Sequence, residues 1–282
     1  MPKTPYDDIV QRHYDKVAAT AGSSPISTMP DEVVRTKETI CILNFVSEAI
    51  HAHRLNRSIN GGGTRRTADE PLLIVDVGCG NGYSLSQLKS AMPEHRYLGI
   101  EHNDKLRAIA AARTPVVAGD IRDAKSIDLK PGSADIVICQ RVIINVMDEA
   151  DQRRALDNII SLAAPGAAFL FIESFAIGLR NLNEARQEFD LPPLPPAIHN
   201  LLLPDNFFQR PDLTPLQLPN FHHPVNELST HYFVSRVLHD LALSGRDFVR
   251  NSHFVRFMSA ALPDGIGDYS PLRICAFQKH DS

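Results

Sequence analysis

An apolar segment, Leu72–Val75, runs directly into a turn that contains three glycines. Two of its four residues are β-branched, which is typical of a strand buried on both faces of a parallel sheet. The glycines of the turn are Gly78, Gly80 and Gly82. Glycines let the backbone turn sharply and approach a ligand with no Cβ atom in the way. A helix predicted at 84–91 would direct its free N-terminal amides toward this turn, so the segment predicts a βα unit that binds a nucleotide-like ligand.

The spacing of the glycines separates two kinds of nucleotide site. A dinucleotide site carries Gly-x-Gly-x-x-Gly, whose third glycine lets the helix pack closely on the strand. Here the pattern is Gly-x-Gly-x-Gly, and Tyr83 stands where that third glycine belongs, which disfavours an NAD(P)-dependent oxidoreductase. With Asp76 two residues before the first glycine, the segment resembles motif I of the class I S-adenosylmethionine (SAM) methyltransferases. In that family the glycine turn approaches the methionine part of SAM, and the acidic residue helps to place it.

The resemblance extends to the ends of two further predicted strands. The second strand, at 95–101, ends in Glu101, where nucleotide-binding folds place an acid that accepts the ribose hydroxyls. The third, at 115–119, is followed by Asp120, whose counterpart in the family accepts from the adenine amino group. The residue after each acid would lie against the adenine. The resulting cofactor site comprises Tyr14, Thr28, Asp76, Gly78, Cys79, Gly80, Glu101, His102, Asp120, Ile121 and Gln140.

Predicted strands and helices continue to alternate through the rest of the chain. Strands at 134–139 and 167–172 flank a helix for which Asp148 is the predicted N-cap. Two more strands are predicted at 232–237 and 272–278. This alternation predicts a parallel sheet with right-handed crossovers. The resemblance implies an α/β, Rossmann-like methyltransferase fold with helices on both faces of a seven-stranded, mostly parallel sheet in the order 3-2-1-4-5-7-6, ending in an antiparallel pair.

Two segments lie outside the core of the predicted SAM-binding domain, which spans 71–282. Residues 1–70 are predicted to form a helical extension and linker that covers the cofactor, with Tyr14 and Thr28 as contacts. A helical decoration with a solvated loop is the alternative. Residues 175–229 are rich in proline and are predicted to be a lid over the acceptor, because so long a segment in a compact domain is usually functional. A proline-rich partner motif is the alternative there.

Methyl transfer requires an acceptor held in line with the methyl group, and a hydroxyl acceptor usually needs a general base. Histidine titrates near neutrality, so His199 and His223 are candidates for that base, although each is more often structural. Arg141 follows the fourth strand and suits a carboxylate or phosphate of an anionic acceptor. Local pairing of Arg141 with Glu173 or Asp148 is equally favoured. His199, His223 and Arg141 are therefore the candidate catalytic residues; His222 and His231 flank the same region.

Composition narrows the expected partners. The chain has 29 Lys and Arg against 33 Asp and Glu, a net charge of −4, which offers no general attraction to nucleic acid. No apolar run approaches about 18 residues and no signal peptide is apparent, so we expect a cytoplasmic protein with no membrane partner. The adjacent His222 and His223 could suggest a metal, but no nearby acid completes a site with them, and we predict no metal site. Monomer and homodimer both remain open.

The resemblance implies a SAM-dependent methyltransferase that uses SAM as cofactor and acts on a small polar acceptor. We expect O-methylation of a hydroxyl on a sugar-like or secondary metabolite. The alternatives are N-methylation of a small amine and a SAM-binding subunit that activates a partner without catalysis. Enzymes that methylate base or glutamine amide nitrogens generally carry Asn/Asp-Pro-Pro-Tyr/Phe after the fourth strand. The sequence Cys139–Val142 stands there instead, which argues against those acceptors.

Overall fold

The computed structural model of the chain describes residues 5–25, 27–59, 70–243 and 245–280. The linker at the end of the predicted extension 1–70 therefore lies largely outside the described residues. The strands are β1 (Leu73–Val77), β2 (Arg96–Glu101), β3 (Val116–Ala118), β4 (Ala134–Gln140), β5 (Ala163–Ser174), β6 (Leu213–Pro215) and β7 (Leu272–Lys279). The α-helices are α1 (Pro5–Thr20), α2 (Glu32–Ile59), α3 (Tyr83–Ala91), α4 (Asp104–Ala111), α5 (Glu149–Leu162), α6 (Ala176–Gln187), α7 (Ser229–Phe233), α8 (His239–Leu243) and α9 (His253–Ala261).

These strands form one sheet in the order β3-β2-β1-β4-β5-β7-β6, which confirms the predicted fold class and strand order. β1 pairs in parallel with β2 on one side and β4 on the other, and β2–β3 and β4–β5 are also parallel. β7 is antiparallel to both β5 and β6. Because the central strands are parallel, the carboxyl ends of β1, β2 and β4 meet at one edge of the sheet.

Two apolar clusters cover the two faces of the sheet. Successive residues of β1 alternate between them: Ile74 packs in the cluster that contains Phe45 of α2, and Val75 packs in the cluster that contains Ile159 of α5. All four of these side chains are fully buried. This is why the central strand is apolar at consecutive positions instead of alternating. Helix α2 of the N-terminal extension therefore belongs to the main core.

The predicted helix after the fourth strand is confirmed as α5, with Asp148 as its N-cap. The Asp148 carboxylate accepts from the backbone N–H of Asp151 at 2.9 Å, as expected for an acid at this position. The helix ends at Leu162, and β5 begins at the next residue. The Pro165-Gly166 pair lies inside the first part of β5.

The predicted strand at 232–237 is wrong. Helix α7 continues there through a π-helical segment, Val234–Leu238, into α8. The buried residues His231, Val234 and Ser235 recur at helical spacing and face the core. Tyr232–Val237 is rich in aromatic and β-branched residues, and packing of this face outweighs their preference for strands.

The sixth strand instead lies inside the segment 175–229 that was predicted to be a lid. β6 has only three residues, and its Thr214 pairs with Gln278 of β7 at the edge of the sheet. The same segment also holds α6, which follows β5 directly. The predicted insertion therefore contains regular elements of the fold. A longer connection, which includes α7, α8 and α9, lies between β6 and β7.

Two features are absent from the described ranges. No helix there is both long enough and apolar enough to cross a membrane. No group of three or more His, Cys, Asp or Glu side chains there is arranged to hold a metal ion.

Candidate cofactor and acceptor site

A cavity opens at the carboxyl edge of β1, β2 and β4, under helix α1. It encloses about 1130 Å³ of free space, including the part open to solvent. This volume is slightly above that of most small-molecule sites, so the cavity is large enough for a cofactor. All the cofactor residues predicted from the sequence border this one cavity: Tyr14, Thr28, Asp76, Gly78, Cys79, Gly80, Glu101, His102, Asp120, Ile121 and Gln140. Arg141 borders it too.

The glycine turn forms one wall of the cavity because glycine allows its backbone to adopt left-handed angles. Gly78 has φ +68°, a conformation that other residues rarely adopt. A Cβ atom at Gly78 would lie 2.3 Å from Cγ2 of Val142, which follows β4. Glycine is therefore required at this position both by the turn and by the close approach of the β4 end.

Glu101 links the end of β2 to the glycine turn. Its Oε2 accepts from the backbone N–H of Gly80 at 2.7 Å, and its Oε1 accepts from that of Asn103 at 2.7 Å. The side chain is buried, and burial raises the pKa of Glu101 to about 7, although the two N–H bonds oppose the shift. Each carboxylate oxygen retains a lone pair for a further donor.

Asp76 lies beside Glu101 at the end of β1 and is also buried. Burial, and then the neighbouring Glu101 carboxylate, raise the pKa of Asp76 to about 7. Two acids that ionise reluctantly thus border the same cavity. A cationic group bound between them would favour their ionised forms, because an opposite charge stabilises a carboxylate.

Asp120 is held by an arginine of its own loop. Arg122 donates to both Asp120 oxygens, from Nε at 3.0 Å and from Nη2 at 2.7 Å. Burial disfavours ionisation of Asp120, but these bonds outweigh burial and keep its pKa below the usual value. Nη1 of Arg122 donates to Asp7 of α1 at 2.6 Å, so an ion-pair chain joins the predicted adenine end of the cavity to α1.

Arg141, at the end of β4, pairs with a partner that the sequence did not suggest. Its backbone is left-handed with φ +54°, and its guanidinium forms an ion pair with Glu38 of α2. Glu173, one of the two acids expected to compete for Arg141, instead accepts from the backbone N–H groups of residues 142–144. The charge of Arg141 is therefore balanced by an acid from the N-terminal extension.

Residues 74–166 match the family described as a methyltransferase domain. The matched range holds the glycine turn, Glu101 and Asp120, which border the cavity together. The chain therefore contains a methyltransferase domain, and its sheet has the strand order that the resemblance implied.

Among solved structures, the methyltransferase is similar to the putative methyltransferase in complex with the Haloferax volcanii Trm112 activator, with 12% identity, full coverage of both chains and a TM-score of 0.48. It is also similar to the plantazolicin methyltransferase BpumL bound to a pentazolic analogue and SAH, with 14% identity, coverage of 96% and 100%, and a TM-score of 0.46. CalS10, an amino pentose methyltransferase from Micromonospora echinaspora, has 25% identity, coverage of 44% and 49%, and a TM-score of 0.32. At these TM-scores none of them identifies the acceptor. No curated protein matches the chain.

SAM is the cofactor of the methyltransferase, and the residues around the cavity fit it. The left-handed glycine turn leaves room for a ligand against the backbone. Three side chains that border the cavity have a buried polar atom with no hydrogen-bond partner: Nε of Arg35, Nε2 of Gln140 and Oδ1 of Asn145. Buried polar atoms are nearly always paired, so these atoms indicate where ligand groups bind.

Of the described histidines, only His102 borders the cavity. His199 stacks on His13 of α1 with ring centroids 3.8 Å apart, and burial, followed by the nearby His13, lowers the pKa of His199 to about 4. His223 is hydrogen-bonded to Glu227. The two histidines predicted as bases are thus held by partners outside the cavity, as is His231 by Asp31 and Ser259.

Two cavity residues with an unpaired buried polar atom, Arg35 and Asn145, were not predicted from the sequence. Arg35 lies in the first turn of α2 and reaches the glycine turn through the tertiary fold; no local motif marks it. Asn145 lies four residues after Arg141, in the short turn that follows β4. A polar residue in the loop after a central parallel strand is a signal that could have been used for Asn145, because this edge of the sheet binds ligands.

Proposed function

We propose that the methyltransferase transfers the methyl group of SAM to a hydroxyl group of a small polar acceptor. The supporting observation is the pair formed by Tyr14 and Asn145 at the end of β4. Nδ2 of Asn145 donates to the Tyr14 hydroxyl at 2.8 Å and to the Arg141 carbonyl at 2.7 Å. Oδ1 of Asn145 remains buried without a partner. None of the described hydrogen bonds uses the Tyr14 proton, so the pair presents one free acceptor and one free donor.

This pattern matches a hydroxyl better than an amine. Bound SAM supplies an electrophilic methyl group, which the acceptor takes with one lone pair. A hydroxyl oxygen has a second lone pair that can accept from Tyr14, while its proton is donated to Oδ1 of Asn145. As the new C–O bond forms and the S–C bond breaks, this proton passes to water at the open side of the cavity, because an amide oxygen is not a base. An amine nitrogen has a single lone pair, so the Tyr14 proton would compete with the transfer. Burial raises the pKa of Tyr14, which keeps its hydroxyl protonated as a donor at neutral pH.

The cofactor roles that follow are part of the same proposal. Glu101 would bind the ribose hydroxyls and Asp120 the adenine amino group, as the resemblance implies. The positions of both carboxylates on one cavity wall support this arrangement. The ion pair between Arg141 and Glu38 already balances the charge of Arg141, so the proposed acceptor does not need to be anionic.

We also propose that α1 is the lid of this site. Four of its residues border the cavity: Asp7, Val10, Gln11 and Tyr14. Its far end is tied to α4, where Asp15 accepts from Lys105 at 2.8 Å and from Asn103 at 2.7 Å. No residue of the segment 175–229 borders the cavity, and within it His199 contacts α1 through His13. These contacts support a lid formed by the N-terminal extension, with the proline-rich segment packed behind it.

The acceptor class can be tested with SAM that carries a deuterated methyl group. Incubation with the purified methyltransferase and fractionated metabolites, followed by mass spectrometry, should yield a labelled methyl ether. Labelled amines or labelled methyl esters as the only products would overturn the proposal.

A variant tests the role of Tyr14 once an acceptor is found. Tyr14→Phe removes the donor and keeps the ring, and kcat should fall about 10-fold, the effect of one lost hydrogen bond. Affinity for SAM should stay within about twofold. The matched control is Tyr97→Phe, because the Tyr97 hydroxyl is bonded to Met92 away from the cavity. An equal kcat for Tyr14→Phe and Tyr97→Phe would contradict the role of Tyr14.

A further inference from the structure

Arg35 is a buried arginine at the glycine-turn end of the cavity. It is 6% exposed, and it borders the cavity together with Thr28, Asp76 and Tyr83. Its Nη2 donates to the Thr28 hydroxyl at 2.7 Å, and its guanidinium carbon lies 5.8 Å from the centre of the Tyr83 ring. Its Nε is buried and has no hydrogen-bond partner.

The charge of Arg35 is not balanced by a direct contact. Within the described part of the chain, no carboxylate lies within ion-pair distance of Arg35. The nearby acid Glu38 is paired with Arg141 instead. Burial, and then the nearby Arg141, lower the pKa of Arg35 to about 10, so it remains charged at neutral pH. A buried charge without a partner is costly, whereas a bound anion would satisfy both its charge and its free N–H.

We propose that Arg35 binds the α-carboxylate of SAM. That carboxylate is the one anionic group of the cofactor. The resemblance implies that the methionine part of SAM binds at the glycine turn, which Arg35 borders. The planar guanidinium offers several donors in a fixed geometry that matches a carboxylate. Asp76, on the same wall, has the charge that suits the neighbouring α-ammonium group. Arg35 and Asp76 together form a receptor for the two opposite charges of an amino acid.

This role differs from that of the other arginine at the site. Arg141 has a carboxylate partner within the protein and is neutralised without a ligand. Arg35 has only the neutral Thr28 hydroxyl. The charge of Arg141 is therefore neutralised by Glu38 within the protein. The charge of Arg35 would be neutralised only by a bound ligand.

The test compares two ligands that differ by one group. SAM and decarboxylated SAM are titrated calorimetrically into the intact protein and into the variant Arg35→Gln. The unaltered protein should bind SAM about 10- to 100-fold more tightly than decarboxylated SAM, the range for a charge-assisted hydrogen bond to a carboxylate. Arg35→Gln should lower this preference to less than about threefold by weakening SAM alone. Equal weakening of both ligands, or no weakening, would overturn the proposal.

Two further variants complete the test. Arg54→Gln alters an arginine of the same helix that lies away from the cavity and near Glu94, and it should keep the full preference for SAM. Arg35→Lys retains the charge but not the planar guanidinium, and its preference for SAM over decarboxylated SAM should be intermediate. This variant keeps the proposal testable if Arg35→Gln does not fold. A preference in Arg35→Lys that equals that of the unaltered protein would count against recognition by the guanidinium. The inference rests on SAM as the cofactor and needs no acceptor. Its test is therefore independent of the test of the hydroxyl proposal.

Discussion

The backbone N–H of Gly80 donates to Oε2 of Glu101 at 2.7 Å, which joins the glycine turn after β1 to the end of β2. The two cofactor elements identified from the sequence are therefore one hydrogen-bonded unit. Glu101 has a structural task in addition to its proposed contact with the ribose. A substitution at Glu101 should consequently change both the stability of the protein and its affinity for SAM.

Glu101→Ala should weaken SAM binding by more than about 10-fold and also lower the free energy of unfolding. Removal of the carboxylate leaves the buried N–H groups of Gly80 and Asn103 unpaired, at about 1–3 kcal/mol each. Glu101→Gln retains one oxygen acceptor and should lose less stability. Calorimetric titration and thermal unfolding measure the two effects. Unchanged SAM affinity in Glu101→Ala would refute the ribose assignment.

The affinity for SAM should rise with pH up to about 7. Burial raises the pKa of Asp76 and of Glu101 to about 7, so both acids hold protons in the unliganded protein at pH 6. If the bound cofactor needs the ionised form of Asp76 beside its ammonium group, binding must release a proton there. The dissociation constant should increase by up to about tenfold per pH unit per group as the pH falls below 7. Titration at pH 6 in buffers of different ionisation enthalpy would detect the released protons.

The unliganded protein should show the opposite trend. The folded state binds protons at Asp76 and Glu101 that the unfolded chain, with ordinary carboxyl pKa values near 4, has already released. The stability from these groups is therefore complete below pH 4 and is lost as the pH rises toward 7. Asp76→Asn should remove part of this dependence. A proton uptake on SAM binding at pH 6 would be incompatible with these raised pKa values.

Gly78→Ala should abolish SAM binding, and a matched glycine can separate its two effects. Gly78 and Gly132 both have φ +68°, but a Cβ at Gly132 meets nothing within 4 Å, whereas one at Gly78 meets Val142 at 2.3 Å. Gly132→Ala should cost about 1–2 kcal/mol for the left-handed backbone alone and leave SAM affinity intact. Gly78→Ala should cost a further 1–3 kcal/mol, roughly, from overpacking. Urea unfolding and SAM titration compare the variants. Similar losses of stability and SAM affinity in the two variants would show that the contact with Val142 does not matter.

The part of the site that local sequence could predict lies at the ends of β1, β2 and β3. Asp76, Glu101 and Asp120 were assigned from the resemblance, which relies on their positions at or just after the ends of apolar strands. Parallel strands bring these carboxyl ends to one edge of the sheet. Arg35 and Glu38 escaped this reasoning because they lie on α2, whose packing on the sheet is determined by tertiary contacts. The same limit explains the segment 232–237, where strand-forming residues lie in a helix. A strand of three residues such as β6 has too short a pattern to detect.

The ion pair between Asp7 and Arg122 should slow the release of SAM if α1 is the lid. The two groups lie 2.6 Å apart and are partly exposed, so the pair should contribute modestly and be screened by salt. Asp7→Asn should raise the dissociation rate of SAM about two- to fivefold at low salt, measured by stopped-flow displacement. Asp8→Asn alters the neighbouring exposed acid and should have no effect. Equal rates for the two variants would speak against closure by α1.

Removal of Arg141 should destabilise the protein because Glu38 would be left as an unpaired buried acid. The Glu38 side chain is fully buried, and its Oε2 has no hydrogen-bond partner. Breaking such a pair from one side costs about 3–5 kcal/mol, whereas replacing both members can be nearly neutral. We therefore expect Arg141→Met to lower the free energy of unfolding strongly, and the double variant Glu38→Leu, Arg141→Met to recover most of the loss.

If the double variant regains stability and SAM affinity but not turnover, Arg141 also acts on the acceptor. If it regains turnover as well, Arg141 serves to hold α2 against the end of β4. Failure of the second substitution to restore stability in urea unfolding would show that the two charges are not coupled as the structure indicates.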